Sequence, residues 1–219
     1  MKYLKVLSKS KIFKDIDENN ISSMLTCLDS KTKNYKKNEY ILREGDFTGS
    51  ICFILKGNVV ISKIDFWGNQ NVLSKLSPSD HFAESFAASK LKVAVDAIAT
   101  SDCTIMFIPI ASITKICSNA CGYHIALMNN LMELIACKNI YLTSKISHMA
   151  KRTTKDKLMS YLMTMSKTKG SDTFTIPFNR QELADYLSVD RSAMSNELSK
   201  LRDDNILKFE KNHFEIIGK

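Results

Sequence analysis

The sequence has 219 residues but only three prolines and seven glycines, too few for a collagen-like repeat, and its 44% apolar content excludes a disordered chain. No apolar run approaches the roughly 20 residues that a membrane span needs. The greasiest stretch, Ile125 to Ala136, is interrupted by Asn129, Asn130 and Glu133. The lysine-rich start, Met1 to Phe13, is not followed by the apolar segment of a secretory signal. A cytoplasmic protein with no membrane partner is expected. Acidic residues are also short, 23 against 31 Lys and Arg, leaving a net charge of +8. That excess suits a polyanion such as nucleic acid, although a lysine-rich surface alone produces the same total. It does not localise a binding face, because residues 151–219 hold 13 basic and 10 acidic residues.

Histidine is scarce and scattered, at His81, His124, His148 and His213. None of the six cysteines (Cys27, Cys52, Cys103, Cys117, Cys121, Cys137) forms a CxxC pair. Without metal-ligand spacing, they read as small buried hydrophobes of a reduced compartment. The alternative is a redox role for Cys117 and Cys121, which share a helix face if that segment is helical. Cys121 and His124 also share a face, but no third group completes a catalytic set. There is no P-loop and no nucleophile–base–orienter group, so the chain is not read as an enzyme.

Three textures succeed one another. Ile16, Ile21, Met24, Leu25 and Leu28 have helical spacing. From Tyr35, short β-rich runs alternate with turns: Tyr40–Leu42, Ile51–Leu55, Val59–Ile61, Val72–Leu73, Val93–Ile98 and Thr104–Ile108. Such regular spacing predicts a sandwich or barrel. The two aromatics of the tip Asp65-Phe66-Trp67-Gly68-Asn69 either contact the other domain or a partner or, the reading preferred, tuck Phe66 inward and lay Trp67 over the end of the roll. From Ile110 to about Ala150 the pattern is helical. Ile125, Met132, Asn139 and Ile146 recur every seven residues, as do Met128, Ile135, Leu142 and Met149. These are a and d positions of a coiled coil, with Asn139 the polar a residue that favours two strands in one register. A single amphipathic helix buried in its own chain is the alternative, and dimerisation is preferred. Leu131 and Leu134 lie off the seam and are expected to pack on the strand domain.

Residues 151–219 read as helices with a β end: a helix from Thr154 to Met165, a strand at Phe174–Ile176, helices Arg180–Leu187 and Arg191–Asp203, and a hairpin around Glu210-Lys211-Asn212. Asn179 and Asp190 are the expected N-caps. Two helices joined by only Ser188-Val189-Asp190 make a helix-turn-helix signature. Leu183, Leu187, Val189, Met194, Leu198 and Leu201 would share its core, and Ala184 permits close approach. Arg191, Ser192, Ser195 and Asn196 are left outward on the second helix, a polar edge suited to the major groove.

The run Arg180-Gln181-Glu182-Leu183-Ala184-Asp185-Tyr186-Leu187-Ser188-Val189-Asp190-Arg191-Ser192-Ala193-Met194-Ser195 resembles the winged helix-turn-helix of the CRP/FNR family of bacterial transcription regulators. Gly45-Asp46, Ile54-Leu55-Lys56-Gly57-Asn58-Val59, Gly68, Pro78 to Glu84, and Ala99 to Cys103 resemble that family's cyclic-nucleotide-binding-type β-roll. The resemblance implies an α+β fold in three parts. These are a double-stranded β-helix or jelly-roll effector domain (residues 1–118), a long dimerisation helix (119–150) and a winged helix-turn-helix (151–219). It implies a homodimeric regulator, activator or repressor, gated by a small molecule, binding a near-palindromic double-stranded DNA site, with RNA polymerase a possible further partner. Arg191, Ser192 and Asn196 take the base-reading positions, Arg191 suiting guanine and Asn196 adenine. Arg180, Gln181 and Lys200 are the expected backbone contacts, and Ser195 lies on the same face. The rival reading is a ligand-binding or interaction module that has lost specific DNA binding.

The effector is not identified, and no cofactor is expected. Cyclic-AMP-binding members carry Gly-Glu-Leu or Gly-Glu-Ile, then Arg-Ser-Ala or Arg-Thr-Ala. Here these positions are Ala83-Glu84-Ser85 and Val93-Ala94-Val95. Losing the arginine forfeits charge-assisted bonds worth roughly 1.5–3 kcal/mol each. Lys92 is adjacent, although strand alternation turns it to the other face, and Lys90 is a weaker substitute. The cysteine pattern disfavours an iron–sulfur cluster, and His81 alone is a poor case for haem. A pocket carried over from the family would lie near Glu84, Ser85, Lys92 and Thr143.

Overall fold

A computed structural model describes residues 3–68, 70–114 and 122–218. The chain divides into two compact units, Met1–Ala136 and Cys137–Lys219. The first unit opens with helix α1 (Leu4–Leu7), a short 3-10 turn (Lys11–Phe13) and helix α2 (Glu18–Cys27). Asp17 caps α2 by accepting the Asn20 backbone N–H at 3.0 Å. Strands β1 (Lys31–Tyr35), β2 (Tyr40–Leu42), β3 (Ser50–Lys56), β4 (Val59–Ile64), β5 (Gln70–Leu76) and β6 (His81–Phe82) follow. After them come helix α3 (Glu84–Ser89), strands β7 (Asp96–Ala99) and β8 (Cys103–Pro109), and helix α4 (Ile110–Thr114). Two four-stranded antiparallel sheets result, ordered β1-β8-β3-β6 and β2-β7-β4-β5. This is the β-roll of the expected α+β fold.

Strand β3 shows why one run of apolar residues suits this architecture. Successive side chains of a strand point to opposite faces. Cys52 and Ile54 therefore join the core between the sheets, while Ile51, Phe53 and Leu55 join a second core beneath the helices. Strand β8 divides likewise, Ile105 going inward and Met106 and Ile108 outward. The turn between β3 and β4 depends on Gly57, at φ +85°, where an added Cβ would lie 2.5 Å from the Asp102 carbonyl oxygen and 2.6 Å from Cys103 Sγ. Asn58 beyond it accepts from Cys103 Sγ at 3.2 Å and from Thr100 Oγ1 at 3.1 Å.

The long helix α5 (Gly122–Met149) lies within the segment read as helical, and its off-seam leucines pack inward. Leu127 and Leu131 are buried in the helix-side core and Leu134 packs against it. Asn130 Nδ2 donates to the Ile12 and Lys14 carbonyls at 3.1 and 2.7 Å, tying the helix to the N-terminal segment. The division between the units falls within α5.

The second unit comprises the remainder of α5, helix α6 (Thr154–Lys169), strand β9 (Thr173–Thr175), helices α7 (Arg180–Leu187) and α8 (Arg191–Asp203), and strands β10 (Leu207–Glu210) and β11 (His213–Ile216). The strands pair in the order β10-β11-β9. Leu158, Leu162, Leu183, Leu187, Met194, Leu198, Leu201 and Phe214 form its core. Its α5 segment is held by His148, buried at the helix end, whose Nδ1 lies 2.9 Å from Ser160 Oγ, with Tyr161 and Tyr186 against the ring.

Several expectations need correction. Strand β7 begins at Asp96 rather than Val93, because Val93 bonds the Gly45-Asp46 turn instead, donating to the Asp46 carbonyl and accepting from the Gly45 N–H, both at 2.8 Å. The tip aromatics do not cover the roll: Phe66 is 96% and Trp67 81% exposed, packed edge to face on each other. Asp65 and Gly68 (φ +85°) close a tight turn there that projects both rings outward. Cys52 and Cys103 are buried as expected, but Cys27 and Cys137 are exposed. Cys117 and Cys121 lie outside the described residues. Among the described residues no helix is long and apolar enough to cross a membrane.

Candidate nucleic-acid interface

The two helices α7 and α8 are fixed by local chemistry. Asn179 Oδ1 accepts the Glu182 backbone N–H at 3.0 Å, and Glu182 Oε2 accepts the Asn179 N–H at 2.8 Å, a reciprocal capping box. Ser188 ends α7 in the left-handed region, φ 51°, and its N–H and that of Val189 return to the last turn. Asp190 Oδ1 then accepts the Ala193 N–H at 2.8 Å and starts α8. The Ser192 hydroxyl donates to the same oxygen, and these bonds, that from Ser192 foremost, hold the Asp190 carboxyl below its usual range.

Burying Leu183, Leu187, Met194, Leu198 and Leu201 turns the opposite face of α8 to solvent. Arg191 and Asn196 are exposed, and among the described residues neither side chain has a hydrogen-bond or ion-pair partner. Both can therefore offer a bidentate edge to a base. Ser195 Oγ donates back to the Arg191 carbonyl at 2.9 Å, and Ser192 is engaged by Asp190, so neither hydroxyl proton is free. Lys200 Nζ lies 2.8 Å from Glu197 Oε1, which raises its pKa, and Gln181 Nε2 donates to Asp185 Oδ1 at 2.8 Å. A phosphate reaching either side chain must compete with a carboxylate. Arg180 is half-buried, its guanidinium 4.7 Å from the Phe209 ring centre and 5.3 Å from that of Phe214, and burial lowers its pKa.

Two grooves flank α8. Arg180, Gln181 and Arg191 line one together with Lys211 of the β10–β11 turn. Asn196 and Lys200 line the other with Thr153, Thr154 and Lys155 at the start of α6. The structure thus adds Lys155 and Lys211 to the residues singled out by the sequence. A basic residue at a helix start and one at a hairpin turn were the available signals.

The candidate effector residues are less unified. Glu84 is buried, opening α3. Ala83 before it holds φ 68°, a left-handed conformation better suited to glycine. Burial first, and then the charge of Glu84, push the neighbouring Cys52 thiol far above its ordinary pKa. Ser85 is exposed. Val93, in the arginine position, is buried in the core between the sheets. Lys92 is exposed, its ammonium 5.5 Å from the Phe47 ring centre, in a segment that is not strand. Thr143 belongs to the second unit and donates to Asn139 Oδ1 at 3.5 Å. Among the described residues no three His, Cys, Asp or Glu side chains gather to hold a metal ion.

Residues 32–120 match the family model of the cyclic nucleotide-binding domain, and residues 156–218 match that of the Crp-like helix-turn-helix domain. No curated protein matches the chain. Among solved structures, the catabolite activator protein of Thermus thermophilus superposes with a TM-score of 0.51 at 16% identity, covering 94% of this chain and 93% of its own. The N-terminal domain of a transcriptional regulator from Streptomyces coelicolor A3(2) gives 0.54 at 14% identity, covering 61% of this chain and 94% of its own. A cyclic nucleotide-binding domain from Methylobacillus flagellatus KT gives 0.54 at 14% identity, covering 64% of this chain and 78% of its own. At these identities the likeness is one of fold.

Proposed function

The chain belongs to the CRP/FNR family of DNA-binding transcription regulators, and from that premise we propose that it reads a near-palindromic duplex as a homodimer. The observation that carries this reading is the solvent-facing front of α8, where Arg191 and Asn196 stand unengaged on a helix whose other face is core. Arg191 reads guanine and Asn196 adenine, with Ser192 and Ser195 accepting through their oxygens. Gln181 and Lys200 face the backbone, joined by Lys155 and Lys211.

Dimerisation rests on the seam of α5. Ile125, Met132 and Ile146 are 56%, 65% and 66% exposed, and Met128, Ile135 and Leu142 are exposed beside them. A stripe of this length has no reason to face water, and a second copy of α5 would cover it, Asn139 meeting Asn139 to set two strands. The pair then offers two recognition helices to successive major grooves about 34 Å apart. The β-roll gates this spacing by population shift. Cyclic AMP is a poor fit as its effector, since Val93 supplies no cation for the phosphate.

Selection of genomic fragments by the purified protein at physiological salt, with no effector added, tests the reading. A recovered palindrome whose half-site holds guanine and adenine at the spacing of Arg191 and Asn196 supports it. Failure to enrich any sequence, both alone and with cell extract, would leave an interaction module without DNA function.

A further inference from the structure

We propose that Arg180 is a positioning residue that clasps the β10–β11 hairpin to α7, and that it serves DNA recognition by holding this wing in register with α8. The inference rests on the DNA-binding function proposed here. Phe174, Phe214 and Phe209 come one from each strand of the small sheet and pack in sequence, with ring centres 6.4 Å and then 6.0 Å apart. Arg180, the first residue of α7, lies over two of them. The wing residue Phe209 also takes the guanidinium of Arg202, 5.9 Å from its ring centre, so each helix of the pair contributes a cation to it. Arg202 has Asp203 as a further partner. Among the described residues no carboxylate pairs with Arg180, so ring contact is what fixes its guanidinium. A guanidinium is planar and weakly hydrated and stacks on aromatic faces, whereas the compact, strongly hydrated ammonium of lysine does not replace it there.

The test uses the full-length protein and a duplex recovered by selection. Arg180→Lys keeps the charge and loses the plane. It is expected to weaken specific binding about tenfold, within the reach of a cation–π contact, while leaving the salt slope unchanged. Hydroxyl-radical protection should disappear from the backbone positions beneath the wing and persist beneath α8. Phe209→Leu should act likewise, and the double variant should lose about tenfold, not a hundredfold. Wild-type affinity in Arg180→Lys, together with a salt slope about one unit lower in Arg180→Gln, would make Arg180 a plain phosphate contact and overturn the clasp. Should no duplex be recovered, the DNA-binding reading itself fails. The clasp is then read from thermal melting: non-additive losses in Arg180→Lys and Phe209→Leu sustain it, and additive losses overturn it.

Discussion

Gly57 and Gly68 both adopt φ +85°, but they differ in the space around them. Alanine at either site pays for the left-handed conformation, about 1–2 kcal/mol. The stiffer unfolded chain returns about 0.4–1 kcal/mol of that. At Gly68 nothing lies within 4 Å of the added methyl group, so Gly68→Ala should cost only about 1 kcal/mol. At Gly57 the methyl group would also sit 2.5 Å from the Asp102 carbonyl oxygen and 2.9 Å from Cys103 Cα. Those are backbone atoms of the neighbouring turn, tied in turn to Asn58 and unable to swing aside. Overpacking of this kind adds about 1–3 kcal/mol, so Gly57→Ala should lose about 3 kcal/mol in all. Urea unfolding of both variants, followed by far-UV circular dichroism, measures the difference if the slope stays constant. A Gly57→Ala variant no less stable than Gly68→Ala would refute the close approach, and with it the seating of β3 against the turn before β8.

Arg191→Ala should lose about 1–3 kcal/mol on the selected site and much less on random DNA, read by fluorescence anisotropy; equal loss on both would remove Arg191 from base reading. Ile135→Asp on the α5 seam should shift sedimentation from dimer to monomer with the fold retained by circular dichroism, and an unchanged species would place the dimer contact elsewhere. His148 is held neutral, its pKa lowered first by burial and then by Lys151. Because the unfolded chain takes up this proton first, stability should be complete above about pH 6.5 and fall as pH drops toward the lower folded value. In His148→Phe that component of the pH dependence of melting should vanish. Cyclic AMP at millimolar concentration should leave the melting temperature unmoved, and a clear rise would mean that something replaces the missing arginine.

What the sequence made legible was local. Helices α7 and α8 appear with the bounds expected of them, because Asn179, Asp190 and the short turn determine their ends within a few residues. Helix α5 was legible for a different reason, apolar spacing at helical period over many turns. Strand β1 was not: four of its five residues are exposed, and Lys31 and Lys33 mark a sheet edge, not an apolar run. Helix α3 was hidden because Glu84 and Ala83 resembled turn residues, and the chain enters that helix through a conformation alanine rarely adopts. At the candidate interface, the solvent-facing residues of α8 followed from helix periodicity. The contacts of Arg180 with Phe209 and Phe214 did not, because they join positions far apart in the chain.

The partition of β3 couples the two cores of the β-roll mechanically. The strand is a membrane one residue thick between two solid cores, with Cys52 and Ile54 on one side and Ile51, Phe53 and Leu55 on the other. Solids of this density do not absorb a displacement. A displacement of the inner side chains would therefore reach the outer ones, which share a core with Leu127 and Leu131 of α5. Strand β3 and helix α5 are thus joined through one packed core, with no intervening element between them.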